Sequence, residues 1–179
     1  MDLPKEFLSK LKLLSGDRYG DVVETYSLER EASFRVNTLK VSEEEAISRL
    51  SEMGFEVERV GTKNAYFLKN KTRREFTDLE EFVNGWFYLQ SISSMLPVWS
   101  VETEIRQKLE DERFMVLDMC AAPGSKTTQL AALMEGKGEI VANDSNRERL
   151  YRLKDVLRQY GVTNAFMQLG SGENLWRKY

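Results

Sequence analysis

The stretch Val116-Leu117-Asp118-Met119-Cys120-Ala121-Ala122-Pro123-Gly124-Ser125-Lys126-Thr127-Thr128-Gln129-Leu130 decides the fold class. It reads as a short apolar strand, a tight turn of small residues, and a helix. Gly124 permits backbone angles that other residues resist, and Pro123 fixes its own φ. A helix that starts at such a turn has unpaired N–H groups and a partial positive charge, so it can receive polar groups. Ligands of open α/β sheets bind outside the carboxyl ends of the strands. The turn is therefore the candidate cofactor site.

Downstream, Glu139-Ile140-Val141-Ala142-Asn143-Asp144 predicts a second strand. Ser145 and Glu148 form a capping-box pattern, Leu150, Leu153, Leu157 and Tyr160 line one helical face, and Gly161 stops the helix. Residues 165–169 predict a third strand. This β-α-β-α-β order argues for a parallel sheet with right-handed crossovers. Asp144 ends its strand twenty positions after Gly124, where the acidic ribose ligand of a nucleotide-binding βαβ unit stands. The other reading of Asp144 is a cap for the next helix. A Walker A loop aligned on Lys126 would put Cys120 and Ser125 where glycines belong, and G-x-G-x-x-G is absent. Lacking a glycine-lined pyrophosphate cradle, the turn favours a phosphate-free nucleoside cofactor such as S-adenosylmethionine.

Upstream, Pro4 to Ser15 predicts a helix with Phe7, Leu8, Leu11 and Leu14 on one face and Gly16 as its stop. A second helix is expected within 17–31. Ser33-Phe34-Arg35-Val36-Asn37-Thr38-Leu39-Lys40 alternates as a strand. Ser42 with Glu45 caps a helix that turns Ala46, Ile47, Leu50 and Met53 inward. Strands are expected at 55–60, 66–68 and 85–90, and one helix at about 93–109. Residues 1–110 thus form an α+β unit, Glu110-Asp111-Glu112-Arg113 is the boundary, and 111–179 form a second unit. Lys63, Lys69, Lys71, Arg73 and Arg74 cluster near Tyr66, Phe67 and Phe76, which reads either as an RNA-contacting surface or as a solvated hairpin face.

The 179 residues are 41% hydrophobic and 31% charged, with a net charge of −3, which excludes a general nucleic-acid-coating protein but leaves room for a local basic patch. Cys120 is the only cysteine, so an internal disulfide is impossible, and the chain has no histidine. That removes the commonest general base and the commonest metal ligand, and no metal site is expected. No apolar run approaches membrane-spanning length and the start has no signal-peptide pattern. A cytoplasmic protein with no membrane partner is the expectation.

Asp118-Met119-Cys120-Ala121-Ala122-Pro123-Gly124-Ser125-Lys126-Thr127 closely resembles the S-adenosylmethionine motif of the Nol/Nop/Sun family of RNA (cytosine-5) methyltransferases. Phe34-Arg35-Val36-Asn37-Thr38-Leu39-Lys40 resembles the signature of that family's N-terminal RNA-binding subdomain. Tyr88-Leu89-Gln90 with Ser93-Ser94-Met95-Leu96-Pro97 resembles its lead-in to the methyltransferase domain, and Asp144 with Arg149 its second cofactor motif. The resemblance implies an α/β protein: an RNA-binding α+β subdomain, then the first β-α-β-α-β part of a class I (Rossmann-like) methyltransferase sheet. It implies methyl transfer to carbon 5 of cytosine in tRNA or rRNA. Cys120, Ala121, Ala122, Pro123, Gly124, Ser125 and Lys126 would surround the methionine part of S-adenosylmethionine, Asp144 would hold the ribose, and Arg149 would support that region. Arg35, Asn37 and Lys40 would contact RNA.

Two departures matter. Attack by cytosine C5 needs a thiolate at C6, and the family's two cysteines lie beyond its third cofactor motif, whereas this sequence stops at Tyr179. Cys120 lies in the donor pocket, reads as a small packing residue of the turn, and is not assigned as nucleophile; no catalytic residue is assigned. Where the family has an aspartate near the adenine, Ser171 stands within Gly170-Ser171-Gly172. The expectation is the front part of a larger enzyme, through truncation, gene splitting or frameshift. Alone it should be inactive, and the Met115–Met119 strand should have one unpaired edge that recruits a complementing chain or a second copy. The competing reading is a non-catalytic RNA- or cofactor-binding module, degenerate or acting as a partner subunit. A nucleotide hydrolase fits poorly.

Overall fold

Residues 1–31 and 32–179 form two units in the computed structural model of the chain, which describes residues 3–26, 28, 31–61, 63–111 and 113–179. In the first unit Pro4 stands as the N-cap of helix α1 (Lys5–Ser15), and Gly16, with φ of +53°, ends it. A 3-10 turn (Gly16–Arg18) leads into α2 (Tyr19–Thr25), and Phe7 meets Tyr26 edge-on with ring centres 5.4 Å apart. Leu14, expected on the inward face, is 84% exposed. The rest of the 17–31 expectation falls partly on Ser27, Glu29 and Arg30, which lie outside the described residues.

The second unit opens with β1 (Ser33–Val36), α3 (Glu43–Glu52), β2 (Val57–Arg59) and β3 (Ala65–Leu68). Two short helices follow, α4 (Arg73–Thr77) and α5 (Glu80–Val83), then β4 (Phe87–Leu89). The four strands pair antiparallel in the order β2-β3-β1-β4, with Phe34 opposite Tyr66 on one side and Leu89 on the other. Alternation along β1 sends Phe34 and Val36 into a core with Leu50, Phe55, Tyr66, Phe76 and Phe87. Phe34 is the hub, with the Phe76 and Phe87 ring centres 4.6 and 5.5 Å away. Ser42 caps α3 as expected, its hydroxyl accepting from the Glu45 N–H.

The single helix expected at 93–109 is two, α6 (Ile92–Trp99) and α7 (Glu102–Lys108), separated at Ser100-Val101. The inward residues Val98 and Ile105 lie two helical turns apart, so the pattern alone runs through the break. Glu112 of the charged boundary lies outside the described residues. Then come β5 (Met115–Asp118), α8 (Ser125–Leu133), β6 (Glu139–Asp144), α9 (Arg147–Gln159) and β7 (Ala165–Leu169). These strands pair parallel in the order β5-β6-β7, confirming the α/β reading. β6 is buried along nearly its whole length, as an apolar run covered on both faces requires. Among the described residues β5 pairs with β6 alone, so its outer edge is open. The cap of α9 is Asn146, whose Oδ1 accepts from the Arg149 N–H, and not Ser145, so the capping register is one residue later than expected.

Candidate functional site

The carboxyl ends of β5, β6 and β7 converge through one side chain. Asn143 Nδ2 donates to the Met119 carbonyl and to the Gly170 carbonyl, both at 2.9 Å. The Ala121 N–H returns to the Asn143 carbonyl at 2.7 Å, and the Gly170 N–H to the Asp144 carbonyl at 3.2 Å. Between β5 and α8, Asp118 accepts from the Thr127 hydroxyl at 2.7 Å, closing the turn across its mouth.

Within the turn, Ala121 and Ala122 are buried, Pro123 is exposed, and the Ala122–Pro123 bond is cis. Gly124 has φ of +117°, and a Cβ there would come within 3.0 Å of Leu153 Cδ1 and Val156 Cγ1. Its missing side chain thus lets the turn lie against α9 as well as adopt its backbone angle. Lys126 Nζ reaches Ser94 Oγ of α6 at 3.3 Å. Cys120 is exposed, which corrects the expectation of a packed residue.

Asp144 is 2% exposed. Its Oδ1 accepts from the Asn146 N–H at 3.0 Å and from Arg149 Nη1 at 3.4 Å. Its Oδ2 lies 3.2 Å from Arg149 Nη1 as an ion pair but accepts no hydrogen bond. Arg149 Nη2 donates to the Ala122 carbonyl, so one guanidinium ties the β6 carboxylate to the turn. Ser171 follows β7, and its hydroxyl is the main influence holding the Glu173 carboxyl below the usual range. Glu173 was not singled out from sequence; the Ser-x-Glu spacing was the available signal.

The buried carboxylate at the end of β6 offers a site to a nucleoside. The first N–H groups of α8, Ser125 to Thr127, have no backbone partner among the described residues, but the turn lacks the further glycines of a phosphate loop and the Lys126 ammonium is engaged by Ser94. A buried carboxylate oxygen without a hydrogen bond is what a ribose hydroxyl can satisfy. Among the described residues no cluster of three His, Cys, Asp or Glu side chains could hold a metal ion, and no helix is long and apolar enough to cross a membrane.

The proposed RNA contacts divide. Arg35 and Asn37 are each 1% exposed, so the expectation that they touch RNA is corrected: the polar face of β1 is covered by other parts of the fold. Lys40 remains on the surface, with its ammonium on the Asn84 carbonyl at 2.7 Å. In the basic cluster Lys63 pairs with Glu102, Lys69 with Glu58 at 3.0 Å, Lys71 with Glu75 at 3.5 Å, and Arg74 with Asp78 at 3.9 Å. Tyr66 and Phe76 are buried in the core. That favours the solvated-face reading, with charges locally balanced.

Residues 105–176 match the family model described as 16S rRNA methyltransferase RsmB/F, and residues 3–91 match the N-terminal domain of 16S rRNA methyltransferase RsmF. Ribosomal RNA small subunit methyltransferase F of Shewanella piezotolerans is 38% identical over 133 residues, 74% of this chain and 27% of the relative. The protein of that name in Pectobacterium carotovorum is 36% identical over 171 residues, 93% of this chain and 34% of the relative. A crystal structure of a methyltransferase homolog from Pyrococcus horikoshii superposes with a TM-score of 0.79 at 31% identity, covering 98% of this chain and 55% of that one. The chain spans about a third of the length of these curated relatives.

Proposed function

Because the chain belongs to the RsmB/F family of 16S rRNA methyltransferases, we propose that it holds S-adenosylmethionine at the ends of β5, β6 and β7 for transfer of a methyl group to carbon 5 of a cytosine in rRNA. The single observation that carries this is the Asp144 carboxylate, buried at the end of β6 with Oδ2 free of hydrogen bonds. Oδ2 would accept a ribose hydroxyl, while Arg149 pairs with the carboxylate and ties it to the Ala122 carbonyl. Residues Cys120 to Lys126 would enclose the methionine part. Ser171 would sit near the adenine, and the Glu173 carboxylate beside it supplies the negative charge that Ser171 lacks. When bound, the cofactor supplies a methyl carbon made electrophilic by a sulfonium.

Cytosine C5 becomes nucleophilic only after a thiolate adds at C6, and a base must then take the C5 proton. The one cysteine, Cys120, lies in the donor turn, so using it for that addition would put the attacking sulfur in the pocket assigned to the methyl donor. The chain therefore contributes the donor half of the site. The division at residue 110 belongs to the same reading: residues 1–110 serve RNA, with Lys40 at its surface, and 111–179 serve the cofactor. We place the protein in the cytoplasm, and a complementing chain or a second copy along the open edge of β5, where Met115 and Met119 are exposed.

Incubated with methyl-tritiated S-adenosylmethionine and 16S rRNA, the chain alone is expected to be labelled by ultraviolet cross-linking and to transfer no methyl group. Labelled 5-methylcytosine made by the chain alone would refute the assignment of donor half only, and absence of cross-linking would refute cofactor binding.

A further inference from the structure

β1 has two faces, and both are buried. Phe34 and Val36 enter the aromatic core, while Arg35 and Asn37 share the opposite face. Arg35 Nε donates to Gln90 Oε1 at 2.9 Å. Its Nη2 donates to Thr128 Oγ1 at 2.5 Å and to the Ser125 carbonyl at 3.2 Å. Thr128 in turn donates to the Gly124 carbonyl at 2.7 Å. One guanidinium therefore reaches from the antiparallel sheet to the glycine of the cofactor turn through a single hydroxyl. Gln90 extends the seam: its Nε2 donates to Gln129 Oε1 at 3.0 Å, and Gln129 Nε2 to the Met95 carbonyl at 3.2 Å.

Two residues along, Asn37 Nδ2 donates to the Gly85 carbonyl at 2.8 Å and to the Tyr160 carbonyl at 2.9 Å. Tyr160 follows the last turn of α9 and donates its hydroxyl to the Phe87 carbonyl at 3.0 Å. β1 and the residue that follows it thus grip the start of α8 and the far end of α9. The first of these helices begins at the turn, and the second carries Arg149.

The arrangement is costly for stability alone. Arg35 is fully enclosed, no carboxylate among the described residues forms an ion pair with it, and its Nη1 has no hydrogen-bond partner. Burial lowers its pKa to about 10, so it still carries its charge at neutral pH, supported only by carbonyl, amide and hydroxyl oxygens and by the face of Tyr88, 4.7 Å from the guanidinium carbon. Apolar residues of similar volume often replace buried charges without loss of stability. What they cannot supply is the fork of fixed donors that spans Gln90, Thr128 and Ser125.

We infer that Arg35 is a positioning residue for the donor pocket, through which the antiparallel sheet sets the Gly124–Thr128 turn in its ligand-ready geometry. The inference rests on the reading of that turn as the S-adenosylmethionine site. Sheet and pocket then behave as one device: movement of β1 against α8 is transmitted to the turn by a two-bond chain, Arg35 to Thr128 to Gly124.

The test compares Arg35→Lys, Thr128→Val, Thr128→Ser and the core control Leu50→Val, each in the full chain and well below its melting temperature. S-adenosylmethionine affinity by calorimetry should fall about tenfold in Arg35→Lys, which keeps charge but loses the fork, and about fivefold in Thr128→Val. Thr128→Ser, which restores the hydroxyl, should stay within about twofold of the parent. Leu50→Val should lower the melting temperature and leave affinity within about twofold, because it weakens the same sheet without touching the seam. Amide exchange at Ser125–Thr128, measured without ligand, should accelerate in Arg35→Lys and Thr128→Val only. The inference is overturned if Arg35→Lys and Thr128→Val bind and exchange like the parent, or if Leu50→Val loses affinity equally. A parent chain that does not bind S-adenosylmethionine refutes the functional reading instead, and the exchange rates still decide whether Arg35 holds the turn.

Discussion

Asp144→Asn is expected to weaken S-adenosylmethionine binding by roughly 30-fold to 100-fold, with a moderate fall in melting temperature. The substitution keeps the size and the buried position. Oδ1 has its own partners, the Asn146 N–H and Arg149, and an amide oxygen can keep them. Oδ2, the oxygen without a hydrogen bond, becomes an NH2 group that cannot accept a ribose hydroxyl. The charge that draws Arg149 to this place is lost as well. Arg149 is about half exposed and can turn to water, but the new NH2 is buried 3.2 Å from where Arg149 Nη1 stands and has no acceptor, so the fold loses about 1–3 kcal/mol as well. A calorimetric titration well below the melting temperature separates the loss of affinity from that loss of stability. Unchanged affinity would mean that the ribose is held elsewhere.

Gly85→Ala is expected to cost about 3 kcal/mol or more of unfolding free energy, the largest stability effect of any small substitution near the seam. Gly85 has φ of +78°, which side chains resist, and its added Cβ would stand 2.4 Å from the Gln159 carbonyl oxygen. That obstacle is backbone at the end of α9, so no rotamer change relieves it. The lead-in to β4 would have to move off α9, and three bonds go with it: Asn37 to the Gly85 carbonyl, Asn37 to the Tyr160 carbonyl, and Gln159 Nε2 to the Val83 carbonyl at 3.1 Å. Urea denaturation measures the change. A shift below about 1 kcal/mol would show that β4 and α9 are not in firm contact.

The parallel sheet was legible because its signals are local and redundant. Ile140-Val141-Ala142 is an apolar run of strand length, Gly124 and Gly161 punctuate it on either side, and Leu150, Leu153 and Leu157 repeat at helical spacing. Helices α4 and α5 were not legible, because four or five residues cannot display a periodic face. What builds α4 is a capping box, with the Thr72 hydroxyl accepting from the Glu75 N–H and Glu75 accepting from Thr72. The cap at Asn146 instead of Ser145 is a one-residue ambiguity between two good capping side chains.

The site was legible in part for the same reason. The turn and Asp144 lie within one βαβ unit, and Arg149 in the first turn of the helix that follows it, where spacing along the chain fixes distance in space. Arg35 and Asn37 illustrate the opposite case. Alternation correctly places them on the polar face of β1, but period-two patterning cannot say whether that face meets water, RNA or another helix. Here it meets partners 55 to 123 positions away in sequence, at Gln90, Thr128 and Tyr160. Ser171 and Glu173 lie beyond β7, where no repeating pattern marks the carboxylate two residues after the serine that stands in place of an aspartate.

One calorimetric titration tests the central claim most directly: S-adenosylmethionine, then ATP, into the full chain. Saturable heat at one equivalent of S-adenosylmethionine and none with ATP is the predicted result, because Asp144 offers a carboxylate to a ribose, while the turn has neither the glycines of a phosphate loop nor an unengaged lysine ammonium. Tight ATP binding without a response to S-adenosylmethionine would contradict it.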